Sequence, residues 1–124
     1  MVKVVIPVDR KDNDNAQIFP HLGKAPFFAN VEISDEGKVE KITYTENKGQ
    51  HFGGRGRPAI IIADSGANVI IVRNMGPRGI NIMKSHGIKV LTSKSQTLKE
   101  AINEFLKNET TPLEEPCEEA EHLF

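Results

Sequence analysis

Apolar positions along the chain follow two periods. Lys3 to Val8 is a β-branched run, which predicts a strand buried on both faces and central in its sheet. Asp9 to Asn15 is polar and rich in Asp and Asn, so it reads as a loop. Phe27 to Ser34 predicts a second strand, closed by the turn Asp35-Glu36-Gly37. Val39 to Thr45 alternates and predicts a third strand with one exposed face. Pro58 to Ser65 fits a buried strand or a short buried helix by periodicity alone. Pro58 suits a first helical position and Gly66 the residue after a helix end, so it is assigned as helix. Asn68 to Arg73 is a buried strand, and a parallel strand requires such a crossover before it. Ile80 to His86 predicts a second helix, Ile88 to Leu91 a strand, and 97–107 an amphipathic helix with Ser95 or Thr97 as its cap.

The order β-β-β-α-β-α-β-α predicts an α/β fold. Its mixed five-stranded sheet would be an antiparallel meander followed by βα units, with helices covering the faces and the first strand near the middle. One domain over 1–107 is expected, with an acidic, mobile tail over 108–124 that carries Pro112, Pro116 and a run of glutamates.

Composition narrows the function classes. The chain has 124 residues, 38% hydrophobic and 27% charged, which suffices for one packed core. A net charge of −1 gives no field that favours nucleic acid or an anionic membrane. The single cysteine, Cys117, rules out an intrachain disulfide and fits a reducing cytoplasm. No apolar stretch approaches the roughly 20 residues needed to span a bilayer.

Three stretches carry candidate chemistry. Pro20-His21-Leu22-Gly23-Lys24-Ala25-Pro26 should be a defined loop that presents His21 at a sheet end. The prolines fix φ, and Gly23 supplies a backbone angle that a Cβ would forbid. A neutral imidazole suits iron and other transition metals; the alternative is a histidine bonded to its own turn. Residues 46–57 form a second, glycine-rich loop with His51, Arg55 and Arg57. It can act as a lid, with His51 as a second imidazole and the guanidinium groups holding an anion; the alternative is a solvated loop. The turn Asn74-Met75-Gly76-Pro77-Arg78-Gly79 opens a helix whose free amides favour anions. Pro77 removes one amide and Arg78 adds charge; the alternative is a tight βα turn. In the tail, Cys117 and His122 make a soft metal pair among glutamates, or a solvated terminus. His86 is expected to cap helix carbonyls. Asp9, Glu32, Glu40 and Asp64 are too scattered for two-metal nuclease chemistry.

Taken together, Ile6-Pro7-Val8, His21-Leu22-Gly23-Lys24-Ala25-Pro26-Phe27-Phe28, Ile71-Val72-Arg73-Asn74-Met75-Gly76-Pro77-Arg78-Gly79 and Gly87-Ile88-Lys89-Val90 resemble the dinitrogenase iron–molybdenum cofactor biosynthesis family. The resemblance covers roughly residues 1–107. It implies a ribonuclease H-like fold and a protein that binds or carries iron–sulfur or iron–molybdenum clusters or their precursors. His21 falls in the family's His-x-Gly position, where the middle residue is commonly Phe and here is Leu22. Gly76 and Pro77 fall on its Gly-Pro-like turn. The expected function is a non-enzymatic carrier with a transiently bound cluster, acting with donor and acceptor proteins as a monomer or weak homodimer. Its cofactor-binding residues would be His21, Gly23, His51, Arg55, Gly76 and Arg78, and its metal ligands His21, His51, Cys117 and His122. A metal-free small-anion or phosphate-binding regulatory domain is the alternative.

Overall fold

The computed structural model describes residues 1–47 and 57–113, without the side chains of 57–60. Strand β1 (Val2–Val8) pairs antiparallel with β2 (Phe27–Ile33) along its whole length, Val2 opposite Ile33 and Val8 opposite Phe27. The β2 to β3 (Val39–Glu46) turn places Gly37 at φ 83, a left-handed angle that glycine adopts without steric cost. On its other edge β1 pairs in parallel with β4 (Val69–Val72) through Val4–Val69 and Val5–Ile70. Strand β5 (Lys89–Thr92) continues in parallel beyond β4.

The sheet holds six strands in the order β3-β2-β1-β4-β5-β6, not the five that periodicity predicts. The sixth is Thr111–Pro112, antiparallel to β5, and Leu113 N–H donates to Val90 O at 2.8 Å. Two residues containing a proline carry no strand period. The pairing depends on the chain turning back at Asn108, which takes φ 61. Residues 114–124 of the expected tail, including Cys117 and His122, lie outside the described residues.

Helix α1 is Arg57–Asp64, followed by Gly66 at φ 83, which bears out the helical assignment. Helix α2 is Pro77–Ser85 and starts three residues before the predicted Ile80. Pro77 occupies its first position, where a missing N–H costs nothing. Helix α3 is Leu98–Leu106, with Thr97 as its cap.

Alternation along the strands sorts the core into two layers. Val4, Ile6 and Val8 face α3 through Leu98, Ala101 and Ile102. Val5, Phe28, Ile70 and Val72 face α1 and α2 through Ile62, Ile80 and Met83. β3 is mostly exposed, and only Ile42 and Tyr44 lean on the α3-side core. No strand among the described residues covers its outer edge.

Candidate functional site

The site grows from the way the chain leaves β1. Past Val5 the β4 side of β1 is taken by a returning segment: Asp9 N–H donates to Gln17 O at 3.1 Å and Phe19 N–H to Pro7 O at 2.9 Å. The Asp9 carboxylate fixes this return, accepting from Gln17 N–H at 2.9 Å and from both Arg10 Nε and Nη2. Burial alone would raise the Asp9 pKa, but the Arg10 and Gln17 hydrogen bonds outweigh it and hold the carboxyl below its ordinary value. Ile18 belongs to the α3-side core, whereas Phe19 packs on the α1–α2 side. The chain therefore crosses the carboxyl edge of the sheet between these two residues and delivers Pro20 and His21 to the α1–α2 side.

His21 is exposed there, in extended backbone, at the head of a 3-10 turn over Leu22–Lys24. Its carbonyl accepts Lys24 N–H at 3.0 Å, while its imidazole makes no capping bond to the turn. The alternative of a histidine bonded to its own turn is thus not what the side chain does. Leu22 leans on the α1–α2 core, Ala25 is fully buried, and the turn packs against α1. Asn47, at the end of β3, closes the loop from behind: its N–H donates to Pro26 O at 3.0 Å and its Nδ2 to Ala25 O at 2.7 Å and Gly23 O at 3.4 Å.

Gly23 departs from expectation. Its φ is not positive, and a Cβ built on it meets no atom within 4 Å. The 3-10 turn uses ordinary right-handed angles, so this loop needs no glycine there for backbone reasons. Gly76 likewise has extended backbone, φ −74 and ψ 170, with open space around a Cβ. The close approach lies at Gly79 instead, where a Cβ would sit 2.8 Å from Met75 Cγ.

The second described wall is the turn from β4 into α2. Asn74 Oδ1 accepts Met75 N–H at 2.9 Å, and Met75 is buried in the α1–α2 core. Gly76 caps α2 with no side-chain bond, so the Arg78 and Gly79 amides of the first turn carry no side-chain cap. Arg78 is exposed beside them. Because β1 and β4 are parallel neighbours, this turn and the His21 loop share one sheet edge, where ligands of open α/β sheets bind. On the next strand end, the Glu104 carboxylate accepts from Ser93 Oγ at 2.5 Å and Ser95 Oγ at 2.6 Å, which holds its pKa down. Arg73 adds a bond to Ser95 O at 3.2 Å.

Of the sequence candidates, the structure brings His21, Gly23, Gly76 and Arg78 to this edge. His51, Arg55, Cys117 and His122 lie outside the described residues, as does the side chain of Arg57. Among the described residues, no three metal-ligating side chains gather. His86 does what the sequence suggests: its Nδ1 lies 2.9 Å from Ile82 O at the end of α2. Asn47, the Asp9–Gln17 bond and the Ser93–Ser95–Glu104 cluster escape sequence reasoning, since these bonds join residues 8 to 24 apart in the chain.

With this geometry in view, the chain matches the dinitrogenase iron-molybdenum cofactor family over residues 2–108. It belongs to that family. An uncharacterised protein of Methanocaldococcus jannaschii is 32% identical over 117 residues, spanning 92% of this chain and 93% of that one. The apo form of the orange protein from Desulfovibrio gigas has the same fold, with a TM-score of 0.76 at 22% identity over 94% of this chain and 96% of that one. A Thermotoga protein proposed to be a NifB protein superposes with a TM-score of 0.74 at 24% identity, covering 93% and 96%. The family match thus covers every described residue except Met1 and 109–113, which include β6. No described helix is long and apolar enough to cross a membrane.

Proposed function

We propose that this chain is a non-enzymatic cytoplasmic carrier that holds an anionic iron–sulfur or iron–molybdenum-type cluster, or its precursor, between a donor and an acceptor protein. Family membership supports the cluster class. The observation that carries the site is His21: an exposed imidazole, without a capping bond, on a loop fastened at the carboxyl edge of the sheet. A neutral imidazole nitrogen is a ready ligand for iron. The uncapped amides at the start of α2 lie at the same edge, with the exposed Arg78 in the same turn, and both favour an anion. One imidazole is too few donors for a resident structural metal. It suits cargo, held by one coordinate bond and several hydrogen bonds and then released. The ribonuclease H-like relationship belongs to the same reading, supported by the β3-β2-β1 meander leading into parallel β1-β4-β5. We take the carrier to act as a monomer or weak homodimer.

The test is anaerobic reconstitution of the full chain with iron and sulfide, followed by desalting, visible absorption and metal analysis. Wild type should retain a sulfide-to-iron absorption band, and His21→Ala should lose it. Equal loading of the two proteins overturns the site. Inorganic phosphate binding that needs Arg78 and no metal would replace the carrier with the small-anion regulatory domain.

A further inference from the structure

Asn47 is 1% exposed, the least accessible polar residue among those described. Its backbone N–H, on Pro26 O at 3.0 Å, extends the β2–β3 ladder by one step. That bond alone would hold the strand end. The side chain does something further: it reaches back under the 3-10 turn and places its two Nδ2 hydrogens on two carbonyls of the His21 loop. Ala25 O lies at 2.7 Å and Gly23 O at 3.4 Å. The amide orientation follows from these partners, because the flipped rotamer would set oxygen against two carbonyl oxygens. Asn47 Oδ1 is buried with no hydrogen-bond partner among the described residues. All the described hydrogen bonding of this side chain is thus done by its nitrogen, on the loop that carries His21.

We infer that Asn47 is the positioning residue of the candidate cargo site: it fixes the carbonyls of Gly23 and Ala25 and thereby the place of the His21 imidazole. The inference rests on the reading of His21 as a cargo ligand, but the latch itself can be tested without cargo. The turn that Asn47 braces is closed by Lys24 N–H to His21 O at 3.0 Å and Ala25 N–H to Leu22 O at 3.4 Å. When Asn47 lets go, these two amides should open more often, while the β4 amides, paired to β5 in the core, should not.

The experiment uses the full chain as wild type, Asn47→Asp, Asn47→Ser, His21→Ala and the double variant Asn47→Asp/His21→Ala. Asn47→Asp keeps the side-chain shape but replaces the donor by an oxygen and adds a negative charge; Asn47→Ser is uncharged, so it separates loss of the donor from that charge. In Asn47→Ser, amide hydrogen exchange should quicken on the order of tenfold at Lys24 and Ala25, the loss of one net hydrogen bond, with Ile70 and Ile71 unchanged. Iron–sulfide loading should fall by a similar factor, and the double variant should load no worse than His21→Ala alone. Unchanged exchange at Lys24 and Ala25, or equal quickening at Ile70 and Ile71, overturns the latch. Loading of His21→Ala equal to wild type removes the cargo reading, and the exchange result then still decides what Asn47 holds.

Discussion

At the scale of single residues, the edge of the sheet is governed by what fits behind it. Met75 fills the space under α2 because Gly79 has no side chain, and a Cβ there would meet Met75 Cγ at 2.8 Å and Sδ at 3.0 Å. Two effects of Gly79→Ala oppose each other. Alanine gains up to about 1 kcal/mol of helix propensity. Overpacking a buried side chain costs about 1–3 kcal/mol, and Cγ cannot swing aside as the methionine tip can. Net destabilisation of about 1 kcal/mol is expected in urea unfolding. In a Met75→Ala background the clash is gone, and the same substitution should become neutral or stabilising. A loss of stability that persists without Met75 would refute this account. The contrast with Gly23 and Gly76, where a Cβ meets open space, is physical: sequence marks where glycines occur but not which of them faces a neighbour.

At the scale of elements, the helices differ in how their ends are satisfied. α3 carries a capping box: Glu100 N–H donates to Thr97 Oγ1 at 3.2 Å, and Thr97 N–H donates to Glu100 Oε1 at 3.3 Å. Thr97→Ala should cost about 1 kcal/mol, read as a fall in Tm of about 3–5 °C. A Tm unchanged within error would mean that packing of Leu98, Ala101 and Ile102 alone defines the helix start. α2 has no such side-chain cap, and its first amides stay available for an external anion. These ends also set how much was legible. Thr97 and Gly66 announce their helices because capping chemistry is local. α2 starts at Pro77, three residues before the periodicity begins at Ile80, because Gly76 and Pro77 shape its first turn without any apolar period. β6 had no local signal at all; its pairing partner, β5, lies about 20 residues away.

At the scale of the whole molecule, charge is balanced in sum and organised in place. Asp9, Asp12, Asp35 and Glu104 all have depressed pKa values, the last through the hydroxyls of Ser93 and Ser95. A carboxylate whose folded pKa lies below its unfolded one stabilises the fold above the unfolded pKa. That stability is lost as pH falls through the folded value. Stability should therefore be level near neutrality and decline from about pH 4 downward. In Glu104→Gln the decline should be shallower, since one linked proton is removed; an identical acid limb would show that Glu104 is not coupled to folding. Tyr44 acts with the opposite sign: burial, then the charges of Asp12 and Asp14, raise its pKa, so its contribution is lost as pH rises above about 10.

The sequence by itself determined the order of elements from β1 to α3, the central place of β1, the exposed face of β3 and the family. Each depends on local periodicity, on turn chemistry, or on motifs read in order. It also singled out His21, because an imidazole between two prolines is conspicuous in one dimension. Only the tertiary structure decided which side of the sheet receives that imidazole. It is set where the chain crosses from Ile18, in one core, to Phe19, in the other. Only the fold could bring Asn47 beneath the carbonyls of Gly23 and Ala25, and Ser93 and Ser95 onto Glu104. Hydrogen bonds between residues far apart in the chain leave no period and no spacing to read. They exist once the strands are in register, and in this protein they hold the candidate site in place.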